Sequence, residues 1–115
     1  MKNRFSHLAI LGVAVVIFGA LATQAQTPTA KSTTLTGVVS DAMCGTHHTM
    51  QGETDAQCTR LCVKAGSAYA LVVGDKVYTL HGDSPDLDKY AGQKVTLKGR
   101  VTGMNVRVQS VTPAT

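Results

Sequence analysis

The hydrophobic pattern divides the chain into one continuous apolar run near its start and several short alternating runs after residue 34. The first run extends from Leu8 to Leu21. The first alternating run is "TLTGVVSD", in which Leu35, Gly37 and Val39 share one phase. Because alternation with a period of two is typical of a half-buried strand, this segment is predicted to be the first strand of the fold.

A helical pattern follows after an irregular loop over residues 41–57. In "TDAQCTRLCVKAG", Thr54 or Asp55 is suited to cap a helix and Gly66 to end it. Two to three helical turns fit between these residues. The residues predicted to share one face of this helix are Cys58, Leu61, Cys62 and Ala65.

The pattern becomes strand-like again after Gly66. "SAYALVVGDKVYTLHG" contains two apolar-rich runs joined at "GD", which indicates a hairpin. "DSPDLDKYAG" predicts one short helical turn that ends at Gly92. "QKVTLKGRVTGMNVRVQSV" predicts two further strands, with a turn between them at Thr102-Gly103-Met104-Asn105.

The resulting order is strand, loop and helix, strand, strand, short helix, strand, strand. This order predicts an all-β fold with a short inserted helix, arranged as a five-stranded barrel like the oligonucleotide/oligosaccharide-binding (OB) fold. A closed barrel would also leave no sheet edge exposed. The alternative is an open antiparallel sheet packed on the helix that carries the cysteines.

The continuous apolar run has the layout of a secretory signal peptide, because Lys2 and Arg4 precede it and small residues follow it. We therefore predict a cleavable signal peptide over residues 1–25, a flexible tether over 26–34 and one OB-like domain over 35–112. The protein is expected to be periplasmic or secreted, with no stable membrane anchor after cleavage. An uncleaved N-terminal anchor helix is the alternative.

Charge does not indicate nucleic acid as a partner. The formal net charge is +4. Without the two basic residues of the leader, nine Lys and Arg face seven Asp and Glu, which leaves +2. The basic residues are scattered singly along predicted strands, a pattern typical of solvated faces and not of a nucleic-acid interface. The expected partner is a metal ion or an unknown extracytoplasmic molecule.

Candidate chemistry is concentrated in "SDAMCGTHHTMQGETDAQCTRLC", residues 40–62, which holds all three cysteines. An odd number of cysteines in an oxidising compartment leaves at least one thiol outside any intramolecular disulfide. Cys58 and Cys62, one helical turn apart, are too far apart to bond without distortion. One hypothesis is therefore a disulfide from Cys44 to Cys58 or Cys62, and we take the Cys44 to Cys62 pair as the disulfide alternative.

The other hypothesis is a metal site, because two cysteines at i and i+4 present their sulfurs on one helical face. Cys44 and either His47 or His48 would complete four ligands with Cys58 and Cys62. Three cysteines and one histidine form a known tetrahedral zinc set, and soft thiolates suit copper(I) equally. A redox thiol centre is disfavoured, since no C-x-x-C motif is present.

The remaining polar residues are interpreted more simply. Asp41 is predicted to be a turn or cap residue, Met43 and Met50 to pack within the loop, and His81 to be an exposed residue at a strand end. The sequence contains no pattern of paired carboxylates, nucleophile triad or phosphate loop, so no enzyme is expected.

Four stretches, "TGVVSDAMCG", "CTRLCVKAGSAYALVV", "DKVYTL" and "YAGQKVTLKGRV", together resemble a family of small exported bacterial proteins known only as a domain of unknown function. The resemblance covers about residues 35–111 and includes all three cysteines. It implies an OB-like fold with a cysteine-bearing insertion between the first two strands, and it implies no activity.

The sequence therefore predicts a small exported, non-enzymatic binding protein that holds zinc or copper through a Cys/His cluster. The alternative function is a disulfide-stapled OB-like module that binds a glycan, peptide or protein partner, an expectation that rests on the fold alone.

Overall fold

The computed structural model describes residues 30–82 and 86–115, which contain five strands and two short helices. In chain order the elements are β1 Ser32–Asp41, α1 Asp55–Lys64, β2 Tyr69–Val73, β3 Lys76–His81, α2 Asp86–Lys89, β4 Lys94–Thr102 and β5 Asn105–Pro113. The predicted signal peptide and the start of the tether lie outside the described residues, as do the first residues of the predicted "DSPDLDKYAG" turn. The predicted order of elements is confirmed for the rest.

The strands form one closed ring in the order β1-β2-β3-β5-β4. The ring closes because the long strand β1 pairs with β2 through its second half and with β4 through its first part. The pairing of β3 with β5 is parallel, and all other pairs are antiparallel. The fold therefore differs from the alternative prediction of an open, purely antiparallel sheet in both closure and strand direction.

The inside of the ring is an apolar core formed by alternate residues of every strand and by one leucine of α2. Its buried members are Val39, Leu71, Leu80, Leu87, Val95, Leu97, Val106 and Val111. Gly37 belongs to the same inward phase, and a Cβ at this position would lie 2.3 Å from the carbonyl oxygen of Val72. The close approach of β1 to β2 thus requires the absence of a side chain at Gly37.

β1 begins at Ser32, three residues before the predicted start of the domain at residue 35. The end of the predicted tether pairs instead with β4, from Ser32 opposite Arg100 to Thr34 opposite Lys98. This run has no apolar alternation because it lies at the exposed end of the strand, where backbone pairing alone defines it.

An irregularity in the pairing of β4 with β5 explains why the valines of β5 do not keep one phase. Lys98 pairs with Ser110, whereas the next residue of β4, Gly99, pairs with Val108. One residue of β5 is thus left over, as in a β-bulge. The bulge allows both Val106 and Val111 to face the core although their spacing is odd.

Helix α1 follows the prediction at both ends. Thr54 caps it, its hydroxyl accepting the backbone N–H of Gln57 while the Gln57 side chain accepts the backbone N–H of Thr54. The predicted buried face is only partly correct, because Leu61 and Ala65 are exposed and Thr59 is buried instead. The helix is rotated so that the line from Cys58 to Cys62 faces the ring, which turns Leu61 outward.

Gly92 defines how closely α1 approaches the ring. Its φ is +74°, and an added Cβ would lie 2.9 Å from the backbone nitrogen of Ala56 in the first turn of the helix. One turn further along α1, the Arg60 guanidinium donates to the carbonyl oxygen of Asp88 in α2. Within residues 30–82 and 86–115, neither helix has the length and apolar character needed to cross a membrane.

Candidate metal centre

Cys44 is held at the end of β1 by a tight turn that Asp41 organises. The Asp41 Oδ1 atom accepts the backbone N–H groups of Met43 at 3.1 Å and Cys44 at 2.9 Å. The backbone N–H of Gly45 donates to the Asp41 carbonyl oxygen at 2.8 Å, and Gly45 adopts a positive φ of 58°. The predicted turn role of Asp41 is confirmed, and it fixes where the Cys44 sulfur lies.

Helix α1 brings the other two sulfurs next to the sulfur of Cys44. The Cys44 Sγ atom lies 3.8 Å from Cys58 Sγ and 3.7 Å from Cys62 Sγ. Cys58 is 0% and Cys62 5% exposed, whereas Cys44 is half-buried, so the two helical thiols are shielded from solvent. The turn after β1 and helix α1 thus bring together three thiols, although Cys44 and Cys58 are 14 positions apart in the sequence.

These distances suit a shared ion and not a sulfur–sulfur bond. A disulfide requires about 2.05 Å between sulfurs, and all three cysteines are free thiols in this structure. The alternative prediction of a Cys44 to Cys62 disulfide is therefore not formed here. Sulfurs placed at ~2.3 Å around one zinc ion are separated by about 3.8 Å along each edge of the tetrahedron, which matches the two separations observed from the Cys44 sulfur.

The two adjacent histidines have different environments, and only His48 reaches the cluster. A ring nitrogen of His48 lies within 4.8 Å of the ligand atoms of Cys44 and Cys58. His48 Nε2 is 3.3 Å from the Ser40 hydroxyl, while Nδ1 is buried without a hydrogen-bond partner. His47 is exposed, and among the described residues it belongs to no group with ligand spacing. The choice that the sequence left open therefore falls on His48.

Asp41 contributes a second acceptor to the cluster. A carboxylate oxygen of Asp41 lies within 4.8 Å of the sulfurs of Cys44 and Cys62. Asp41 is 0% exposed, and its Oδ2 atom has no hydrogen-bond partner although Oδ1 has two. A buried carboxylate oxygen without a partner is costly unless a cation or a donor faces it. Asp41 thus combines the predicted turn role with the position of a ligand.

Burial keeps at least two of the thiols neutral in the absence of a metal. Removal from water, followed by hydrogen bonds to Cys62 and Cys58 and the nearby charge of Asp41, raises the pKa of Cys44 to about 12. Burial is also the main cause that raises the pKa of Cys62. Such thiols are poor nucleophiles at neutral pH, and a bound cation would replace their protons.

A cleft on the surface reaches the histidine side of the cluster. It has a volume of about 190 Å³, and its lining includes Ser40, Thr46, His48 and Asp55. His48 thus lies between the buried sulfurs and an open polar cleft. An ion could enter by this route without opening the ring.

The two methionines of the loop do not pack as predicted. Met43 is 70% and Met50 44% exposed, so the interpretation as loop packing is wrong for both. The loop folds around the turn of Asp41 and leaves these side chains on its outer side.

His81, in contrast, is exposed at the end of β3 as predicted, and its Nε2 lies 2.8 Å from Asn105 Oδ1.

Sequence reasoning missed the ligand position of Asp41 and the burial of the polar residues Ser40 and Thr59. All three residues are at most 1% exposed. The available signal was the position of Ser40 and Asp41 at the end of a strand that leads directly to the first cysteine. That signal is ambiguous, because strand ends often carry Ser or Asp as turn residues.

Comparison with protein-family models, curated proteins and solved structures finds no match for this chain. The resemblance to the family of exported bacterial proteins stays a prediction.

Proposed function

We propose that this chain is a small exported metal-binding protein whose ligands are Cys44, Cys58, Cys62 and His48. The observation that carries the proposal is the convergence of two overlapping groups on Cys44. One group contains His48 and Cys58, the other Asp41 and Cys62, and in each group the ligand atoms lie within 4.8 Å of one another. Two of these five residues also hold buried polar atoms that lack a protein partner.

Charge favours zinc over copper(I) at this site. Three thiolates and the Asp41 carboxylate carry four negative charges. A divalent ion would reduce the total to about −2, and a monovalent ion only to about −3, in a location where net charge is costly. Imidazole and thiolate together are an ordinary zinc set, so we propose zinc as the resident ion and copper(I) as its competitor.

We further propose that the ring is an OB-like barrel. The support is the strand order β1-β2-β3-β5-β4, the parallel pairing of β3 with β5 and the position of α2 between β3 and β4. In this arrangement the cysteine loop and α1 form the insertion between the first two strands. The insertion would cover one end of the barrel and carry the metal.

The proposal is of a binding protein and not of an enzyme. A site with three cysteines and one histidine fills the tetrahedral positions of zinc from the protein, whereas catalytic zinc sites keep one position open. The apolar leader of residues 8–21 supports export to the periplasm or beyond. In that compartment a bound ion would also protect the thiols from oxidation.

The test is to recover the protein from its host under anaerobic conditions and to measure bound metal and free thiols together. We expect about one zinc per chain, with the thiols becoming reactive only after a chelator is added. A protein without metal that contains one disulfide and one free thiol would contradict the proposal and favour the stapled interaction module.

The adjacent histidines offer a matched pair of variants. His48→Ala should weaken zinc binding by at least about ten-fold, since it removes one of four ligands. His47→Ala makes the same chemical change one residue away on the exposed side of the loop and should leave the affinity unchanged. Equal losses in both variants would show that the imidazoles act only through the loop conformation.

A further inference from the structure

A second polar cleft lies on the outer face of the ring and shares no residue with the metal centre. Its volume is about 240 Å³, several times the ~30 Å³ that one water molecule occupies in the liquid. The residues that line it are Ala30, His81, Arg100, Thr102, Asn105 and Arg107. The side chains that bear charge or can acquire it are all basic.

The pairing of the strands places the three basic residues in one row. Arg107 of β5 is the register partner of His81 in β3 and of Arg100 in β4. Register partners project from the same face of a sheet. Since all three residues are exposed, the row lies on the outer face and crosses three adjacent strands.

This row is electrostatically unfavourable without a counter-charge. Like charges directly opposite each other on paired strands destabilise a sheet. Within residues 30–82 and 86–115 the one ion pair joins Arg60 to Asp88, so no described carboxylate neutralises Arg100 or Arg107. The fold keeps two guanidinium groups side by side at a concave part of its surface.

The neutral side chains of the cleft also present donors. The Asn105 Oδ1 atom is engaged with His81 Nε2 at 2.8 Å, which leaves the Asn105 amide nitrogen as the free end of that side chain. The hydroxyl of Thr102, the register partner of Asn105, can donate as well. Guanidinium, amide and hydroxyl donors facing one cleft match an anion with several acceptor oxygens.

We propose that this cleft binds a tetrahedral oxyanion of the phosphate or sulfate class, held by Arg100 and Arg107 with Asn105 and Thr102 as additional donors. Planar guanidinium groups bind such anions through paired hydrogen bonds, which single lysines do not provide. The proposal does not depend on the metal centre, because the two sites are formed by different residues.

The test is a titration of the purified protein with inorganic phosphate and with sulfate, followed by backbone and arginine side-chain NMR shifts. Sodium chloride at the same ionic strength is the reference, because general screening affects every exposed charge. We expect saturable shifts at Arg100, Arg107, Asn105 and Thr102 with phosphate or sulfate and none that saturate with chloride. A second titration with glucose 6-phosphate shows whether the site prefers the free ion or a phosphoryl group on a larger molecule.

Two variants and one control decide between a site and a diffuse charge effect. Arg100→Gln and Arg107→Gln should each weaken phosphate binding by about ten-fold, and both positions are exposed. Lys98→Gln removes the same charge two residues away on the same face of β4, outside the cleft, and should change the affinity by less than about two-fold. Shifts that never saturate, or an equal loss in Lys98→Gln, would overturn the proposal.

Discussion

The inside of the ring and the cysteine pocket are both buried, yet they are built in opposite ways. The ring interior contains aliphatic side chains that pack against one another, from Val39 to Val111. The pocket beside it contains three thiols, a carboxylate and an imidazole. Two of these residues hold buried polar atoms without partners, namely Asp41 Oδ2 and His48 Nδ1.

This difference separates stability from function within one small domain. Apolar burial stabilises a fold without reference to any ligand. Buried polar atoms without partners cost free energy, and natural proteins retain them where something else supplies the partner. We therefore expect changes in the ring interior to alter folding, and changes in the pocket to alter metal binding far more than folding.

The largest expected effect is on metal binding in Cys58→Ala. Structural zinc sites of four ligands bind with apparent free energies of ~10–16 kcal/mol, so the loss of one thiolate should cost about 3–4 kcal/mol, or two to three powers of ten in affinity. Competition with a chromophoric chelator measures this loss. The free energy of unfolding of the metal-free variant should lie within about 1.5 kcal/mol of that of the metal-free parent. A much larger loss of stability would mean that Cys58 acts mainly in packing.

The converse variant is Leu97→Ala in the ring interior. Leu97 is 0% exposed, and truncation of such a leucine typically destabilises by ~2–5 kcal/mol. Urea denaturation of the metal-free protein should show this loss. The folded fraction should still bind one zinc ion per chain, and an affinity reduced as strongly as in Cys58→Ala would break the separation between core and pocket.

Asp41→Asn tests what the negative charge of Asp41 contributes to metal binding. The change keeps an oxygen that can accept the N–H groups of Met43 and Cys44 while it removes one negative charge from the cluster. Zinc affinity should fall by about ten-fold, with the stability of the metal-free protein altered by less than about 1 kcal/mol. Asp75→Asn, at the exposed β2 to β3 turn, is the control for net charge and should have no effect on affinity.

The smallest effect concerns the contact that joins the ring to α2. The Tyr69 hydroxyl donates to the Asp88 carboxylate at 3.1 Å. Burial, followed by this hydrogen bond and the charge of Asp88, raises the pKa of Tyr69 from 10.0 to about 12. Because the folded state holds this proton more tightly, the contribution of Tyr69 to stability is complete below pH 10 and is lost as the pH rises from about 10 to 12.

Comparison with Tyr69→Phe isolates that contribution. The stability difference between parent and variant should shrink over the same pH interval, by at most ~1 kcal/mol, since the pair lies near the surface. Urea denaturation at several pH values measures it. A difference that stays constant up to pH 12 would show that the hydroxyl is not held by Asp88.

The fold was largely predictable because its elements depend on local signals. The capping residues Thr54 and Gln57, the "GD" turn and the alternation of Val95 and Leu97 each act within a few residues. The prediction was wrong at Leu61, since helical spacing defines a face but not the rotation of that face against the ring. It also placed the start of β1 too late, because Ser32 to Thr34 are in the strand only through pairing with β4.

The candidate site was predictable in its composition and not in its final membership. The spacing of Cys58 and Cys62 predicts that their sulfurs face one way, and this is a property of the helix alone. Selection of His48 over His47, by contrast, depends on which side of the loop turns toward α1. The ligand position of Asp41 depends on how β1 ends beneath the helix.

By itself the sequence determined the strands, the capped helix and a set of soft ligands within one stretch of 23 residues, because these follow from periodicity, capping and residue type. Only the tertiary structure decided that the Cys44 sulfur lies 3.7 and 3.8 Å from the two helical sulfurs and that Asp41 and His48 face them. It alone aligned His81, Arg107 and Arg100 across three strands. The physical reason is that distances between elements arise from packing and strand register, which involve residues far apart in the chain.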